Sequence, residues 1–254
     1  MKVVAVQFNI VWEDPAANWA RVRALLDASP VDAGSLIVLP EMFDTGFSMN
    51  VQHTAQNADR ASESFLRELA AVTNCAVLGG VVGPLEGGLA SNEAVAFDPN
   101  GRELVRYRKQ QPFTPSGEAK VCRAGERHAM FRWDDGWISP FICYDLRFPE
   151  LFRPAARDGA ELLVVMANWP ARRSEHWVRL LQARAIENQA FVVGVNRCGE
   201  DPKLTYDGRS AAFDALGRNV WELDAREQVE QVEIDLAAVR EWRREFPALQ
   251  DMRR

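Results

Sequence analysis

Apolar residues recur along the chain in two periods, and the switches between them outline the elements. Lys2 to Phe8 is rich in Val and reads as a strand. Asp14 stands before Pro15, an N-cap followed by proline at the first helical position, where no backbone donor is needed. Trp19, Val22, Leu25 and Leu26 then define a helical stripe. Leu36 to Leu39 is short, continuous and branched, which fits a strand covered on both faces. Phe65, Leu66, Leu69 and Val72 mark a second helix, and Ala76 to Val82 another buried strand. Ala94 to Phe97 and Leu104 to Tyr107 flank the turn Asp98-Pro99-Asn100-Gly101. Lys109 to Gly125, with Pro112, Pro115 and Gly117, reads as loop. Ala129 to Trp133 and Trp137 to Ile142 flank Asp134-Asp135-Gly136 and form a second hairpin.

The pattern then begins again. Pro149 to Asp158 is a helix ending near Gly159, and Leu162 to Met166 is a buried strand. Ser174 to Asn188 is a longer helix with Trp177, Leu180, Leu181 and Ile186 on or near one face. Phe191 to Val195 is a strand, and a hairpin-like stretch from Ala211 to Leu223 leads to a strand at Val229 to Ile234. Asp235 caps a last helix carrying Val239 and Trp242 on one side. One string repeats: Ala96-Phe97-Asp98-Pro99-Asn100-Gly101-Arg102 returns as Ala212-Phe213-Asp214-Ala215-Leu216-Gly217-Arg218, each after a strand–helix–strand unit. Two copies of one half, packed sheet on sheet with helices outside, account for the echo. The competing explanation is coincidence between two ordinary hairpins, since turn chemistry is limited. No linker separates the halves, so residues 1–254 read as one α/β domain.

Composition narrows the class. Hydrophobic residues at 47% and charged residues at 26% exclude disordered and fibrous chains. With Lys plus Arg at 30 and Asp plus Glu at 36, the net charge of −6 argues against a nucleic-acid partner. No apolar run is long enough for a transmembrane helix, so no membrane partner is expected. The first apolar stretch is too short for a signal peptide. The four cysteines, Cys75, Cys122, Cys143 and Cys198, form no Cys-x-x-Cys pair, which argues against zinc ribbons and thioredoxin motifs. The expectation is a reduced, cytoplasmic protein with free thiols.

Ligands of open α/β sheets bind beyond the carboxyl ends of strands. Glu41 follows Leu36 to Leu39, Lys109 follows Val105 to Arg108, and Cys143 follows Phe141-Ile142. Together these form a kit for amide hydrolysis without histidine. A carboxylate takes the thiol proton, the thiol attacks a carbonyl, and an ammonium stabilises the oxyanion. Singly each signal is weak, because a cysteine at a strand end is more often a small buried filler.

The local strings carry more. Leu39-Pro40-Glu41-Met42-Phe43, Tyr107-Arg108-Lys109 and Cys143-Tyr144-Asp145-Leu146-Arg147-Phe148-Pro149-Glu150 closely resemble the motifs of the nitrilase superfamily of carbon–nitrogen hydrolases, in that family's order. The resemblance runs from Val3 to about Asp251. It implies a four-layer α-β-β-α sandwich of two similar halves. It makes Glu41 the general base, Lys109 the oxyanion-stabilising cation and Cys143 the nucleophile. The backbone N–H of Tyr144 becomes a second oxyanion donor, a role worth a factor of about 100 to 1000 in rate. Glu118 matches the family's second glutamate, which holds the lysine charged, and Glu126 is its rival.

Ala167-Asn168-Trp169-Pro170, the stretch from Leu180 to Gln189, and Phe246-Pro247-Ala248 resemble the bacterial omega-amidase branch. The implied substrate is a short dicarboxylic monoamide such as 2-oxoglutaramate or succinamate. The alternatives are a deaminated-glutathione amidase and an N-carbamoyl amino-acid hydrolase. No cofactor or metal is implied, and family members usually pair as homodimers. The far carboxylate of such a substrate needs a cation, and Arg172 and Arg173 are the candidates. Trp169, Phe43 and Phe113 are expected to wall the pocket, and Arg147 to form a structural ion pair with a nearby acid. His176 is expected to pack or bond locally rather than serve a Cys–His dyad. Cys75 and Cys198 read as core or rim fillers. Cys122 reads as a partly exposed competitor for alkylation. The eight tryptophans read as packing residues.

Overall fold

The alternation within the first strand separates two interiors. In β1 (Lys2–Gln7), Val3 and Ala5 join one apolar cluster while Val4 and Val6 join another, as a period of two requires. The computed structural model describes residues 1–252. Its first half continues with α1 (Pro15–Ala28), β2 (Leu36–Val38), α2 (Val51–Thr54), α3 (Ala61–Thr73), β3 (Ala76–Val82), β4 (Ala90–Phe97) and β5 (Glu103–Arg108). The split persists across this sheet. Leu36, Val38, Ala76 and Leu78 face the second half, whereas Ile37, Leu39 and Val77 face α1 and α3.

The stretch expected as loop holds α4 (Glu118–Val121) and the two-residue strand β6 (Cys122–Arg123), which lies beside β4. The second half runs β7 (Phe131–Trp133), β8 (Gly136–Ile142), α5 (Pro149–Arg157), β9 (Leu162–Ala167), α6 (Ser174–Asn188) and β10 (Phe191–Asn196). A ribbon of β11 (Cys198–Glu200) and β12 (Thr205–Asp207) follows, then β13 (Ala211–Phe213) and β14 (Asn219–Glu222). The described chain closes with β15 (Gln228–Glu233), α7 (Leu236–Glu245) and one short 3-10 turn.

The two sheets have one order. The first runs β15-β1-β2-β3-β4-β5 and the second β7-β8-β9-β10-β13-β14. In each, three central strands are parallel and the outer ones antiparallel. Packed inner face to inner face with helices outside, they make the α-β-β-α sandwich. The repeated string forms one structure twice. Asp98 Oδ1 accepts from the N–H groups of Asn100 and Arg102, and Asp214 Oδ1 from those of Leu216 and Arg218. Each turn follows a register shift, at Ala96/Phe97 and at Ala212/Phe213.

Both aspartate caps form, Asp14 accepting from Ala17 N and Asp235 from Ala238 N. Two expected stripe residues face water instead. Val72 is 70% exposed at the margin of a stripe that turns toward Ala70. Ile186 is 53% exposed. At 100° per residue it falls nearly opposite Trp177 and Leu181, where it packs on the Gly217 turn. The strand expected from Val229 to Ile234 is β15. It leaves the second half and pairs antiparallel with β1, so the chain end completes the first sheet. Among the described residues no helix is long and apolar enough to cross a membrane.

Candidate active site

Three strand ends of the two sheets meet where the halves face each other. After β2 the chain turns sharply at Glu41, with Met42 at φ +44°. This turn lies directly on β3. A side chain on Gly80 would stand 2.6 Å from the Glu41 Cα, so only glycine allows the approach. Lys109 leaves β5 with its N–H bonded to Asn92 O of β4. Cys143 ends β8 at φ +47°, a left-handed conformation uncommon for a residue with a side chain.

The three side chains come together with Glu118. Lys109 Nζ lies 2.9 Å from Glu41 Oε1 and 2.9 Å from Glu118 Oε2. All three are buried, Lys109 at 1% exposure and both glutamates at 0%. Burial works against the lysine charge, but the carboxylates of Glu118 and Glu41 outweigh it and hold the Lys109 pKa well above the ordinary value. Burial also pushes the Cys143 thiol well up, and the neighbouring Glu41 carboxylate pushes the same way, against the pull of Lys109. The resting sulfur is thus a thiol. Two carboxylates and one ammonium already leave the cluster with an excess negative charge, and a thiolate would add another. The arrangement suits proton removal during attack rather than a preformed ion pair.

Two residues of this cluster carried no assignment from sequence. Asn92 Nδ2 donates to Glu41 Oε1 at 2.7 Å and to Glu118 Oε1 at 2.9 Å, fixing both carboxylates from β4. It lies in a polar Ser91-Asn92-Glu93 run whose burial only the structure reveals, since the strand expected from Ala94 begins at Ala90. Asn168, just past β9, donates its backbone N–H to Glu41 Oε2 at 2.9 Å and its side-chain amide to Glu41 O. Glu118 also accepts from Phe113 N at 2.6 Å, from the first residue of α4. Its rival Glu126 lies on the surface, in a separate cavity with Arg106 and His128.

Above Cys143 opens a cavity of about 540 Å³. Phe113, Trp169, Arg172 and Arg173 line it, the place expected for them, and Tyr144, expected only as a backbone donor, lines it as well. Phe43 does not. It is fully buried and stacks on Phe65 at 5.7 Å, because the turn at Met42 sends it back to the helix side of the first sheet. Arg147 also departs from expectation. It has no carboxylate partner among the described residues. It lines the cavity, lies 4.8 Å over the Trp169 ring and meets His176 Nδ1 at 3.1 Å. His176 therefore bonds locally, as expected. Lys203 and Tyr206, from the β11–β12 ribbon, and Phe47 also line the wall, and no strand-end rule pointed to them. Burial, with the neighbouring charges of Arg172 and Arg147, lowers the Arg173 pKa, and none of these three cations has a carboxylate partner among the described residues.

The remaining thiols sort themselves. Cys75 and Cys198 are buried. Cys122 is buried too, against the expected exposure, because β6 tucks it under Met42 and Val82, and burial pushes its pKa to about 12.

The carbon–nitrogen hydrolase family model matches residues 2–244. The chain is 38% identical to omega-amidase YafV of Yersinia enterocolitica, over 99% of this chain and 96% of that protein. It is 32% identical to a 2-oxoglutaramate amidase of Bacillus subtilis, over 99% and 97%. Among solved structures, it superposes with a TM-score of 0.92 on a CN-hydrolase superfamily protein of Xanthomonas campestris with an arsenic adduct in its active site. That likeness covers 100% of this chain and 97% of the other, at 36% identity.

Proposed function

The chain belongs to the carbon–nitrogen hydrolase family, as a hydrolase acting on amides, and from that premise we propose that it opens the terminal amide of a short dicarboxylic monoamide through a thioester on Cys143. The observation that carries the reading is the buried Glu41–Lys109–Glu118 cluster beneath the thiol, under a cavity whose cations have no carboxylate partner among the described residues.

Glu41 takes the Sγ proton as sulfur bonds to the amide carbon. The carbonyl electrons move to oxygen, where Lys109 Nζ and the Tyr144 N–H receive the charge. Collapse of the adduct breaks the carbon–nitrogen bond, and the proton on Glu41 leaves with the ammonia. Water, deprotonated by Glu41, then attacks the thioester. The acid departs and the thiol recovers its proton. Glu118 keeps Lys109 charged, and Asn92 and Asn168 keep Glu41 aimed. Arg172 and Arg173, joined by Arg147 and Lys203, offer the far carboxylate its partners, with Trp169 and Phe113 as apolar walls. The names of the two relatives support 2-oxoglutaramate as the first substrate to try, with succinamate beside it.

Ammonia release from 2-oxoglutaramate, succinamate, deaminated glutathione and N-carbamoyl amino acids tests the reading. The two monoamides should be preferred, and silence on both would sink it. An acyl adduct seen by intact mass should vanish in Cys143→Ala and persist in Cys122→Ala. A homodimer belongs to the same proposal. Exposed Ile186, Leu216 and Phe246 give it an apolar face, and light scattering reads the mass.

A further inference from the structure

One buried acid beside the nucleophile has no part in the chemistry above. Asp145 is fully buried two residues after Cys143. Its Oδ2 accepts from Ile142 N at 3.0 Å and from the Tyr107 hydroxyl at 2.7 Å, and its Oδ1 accepts from Gln111 N at 2.9 Å. The placement of these donors is informative. Ile142 immediately precedes Cys143. Tyr107 and Gln111 stand two residues before and two after Lys109. One carboxylate thus grips the chain on both sides of the lysine and at the entrance to the thiol turn.

We propose that Asp145 is a positioning residue that locks the Cys143 turn to the Lys109 segment, so that thiol, base and oxyanion cation keep one geometry. The need for a carboxylate follows from the donors. Two backbone N–H groups approach different oxygens, so both oxygens must accept. An amide presents a donor at one end and must face one N–H with another. Protonation likewise turns one acceptor into a donor. The lock also holds a strained element, since Cys143 keeps its left-handed φ of +47° only while its flanks are held.

The lock depends on pH. Burial raises the Asp145 pKa to about 6, against the pull of Lys109 and of the Ile142, Tyr107 and Gln111 donors. The ionisable groups around it are Lys109 and Tyr107 on the β5 side and Cys143 on its own turn. Glu41 and Glu118 sit beyond Lys109. Above that pKa the lock is closed, and below it one link opens.

The inference rests on Cys143 being the nucleophile, and the test separates the two. Turnover is measured against pH for the wild type, Asp145→Asn and Tyr107→Phe. In parallel, the rate of Cys143 alkylation by iodoacetamide is followed by intact mass. Asp145→Asn should lower kcat by about 100-fold with KM little changed, as for a misplaced reacting group, and the acid limb near pH 6 should disappear. Tyr107→Phe removes a donor to the charged form, so its limb should move to higher pH. Alkylation of Cys143 should follow the same shifts. A limb at the wild-type position in both variants, with alkylation unchanged, would overturn the proposal even if stability fell. Ammonia release surviving in Cys143→Ala would instead overturn the nucleophile, while the alkylation profiles still report on the lock.

Discussion

The two halves lay down the same strands in the same order, yet their strand ends carry different chemistry. The central strand β2 ends in Leu39-Pro40-Glu41, while its counterpart β9 ends in Asn168-Trp169. One supplies the carboxylate, and the other the N–H and amide that hold it. Strand β8 gives way to Cys143 in a left-handed turn, while β1 gives way to Phe8 and Asn9, whose side chain accepts from the buried Arg197. The difference teaches that the sandwich offers matched positions to both halves and that one site arises because each half fills them differently. A carboxylate at the end of β9 as well would add a third buried acid beside the one buried lysine, in place of the amide that holds Glu41.

Substitution at matched ends gives the sharpest contrast. Cys143→Ala should cut ammonia release by about 10,000-fold or more. Asn9→Ala should leave the rate near the wild-type value and lower stability by about 1 kcal/mol through the lost Arg197 bond. Equal effects in steady-state rates would break the comparison. The central pair comes next. Glu41→Gln loses the base, so the rate should fall by about 100- to 10,000-fold, and because both Glu41 oxygens accept from fixed donors the amide should also lower the melting temperature. Asn168→Ala orphans Glu41 O and should cost about 1–3 kcal/mol in urea unfolding, with a smaller loss of rate.

The edge strands differ in origin, β7 from a local hairpin and β15 from the far end of the chain. Val232, opposite Val3, is 4% exposed. Val232→Asp buries an unpaired charge and should lower stability by about 3 kcal/mol. A denaturant midpoint within error of the wild type would mean that β15 is dispensable. The smallest effect tests the repeat itself. Asp98→Ala and Asp214→Ala each leave two backbone N–H donors without their side-chain acceptor and should each cost about 1–2 kcal/mol. They should agree within about 0.5 kcal/mol, because the extra Arg102 bond to Asp98 is solvent-screened.

Much of this was legible. Strand and helix positions follow from apolar period, and the repeated Asp turn betrays the duplication because its backbone donors demand that residue twice. Glu41, Lys109 and Cys143 are readable because strand ends and motif strings coincide, whereas Glu118 is reached only through the family resemblance, with Glu126 as its rival. Phe43 was misplaced because the string gives its neighbours but not the φ of Met42 that reverses it. Arg147 departs from the expected ion pair because no spacing reveals the Trp169 ring and the His176 imidazole that meet it instead. Asn92 went unassigned because a polar residue in a strand declares burial only once the sheet is covered.

What the chain alone determined is local, namely the periods, the caps, the turns and the residues able to do amide chemistry. These depend on neighbours in sequence and on backbone sterics. What only the tertiary structure decided is which groups share a charge. Lys109 stays charged because two carboxylates from distant segments reach it, and the Cys143 thiol is pushed up because packing buries it and sets Glu41 beside it. Electrostatic interaction in a buried site depends on distance and solvent exclusion, and both are set by the packing of the halves rather than by any stretch of sequence.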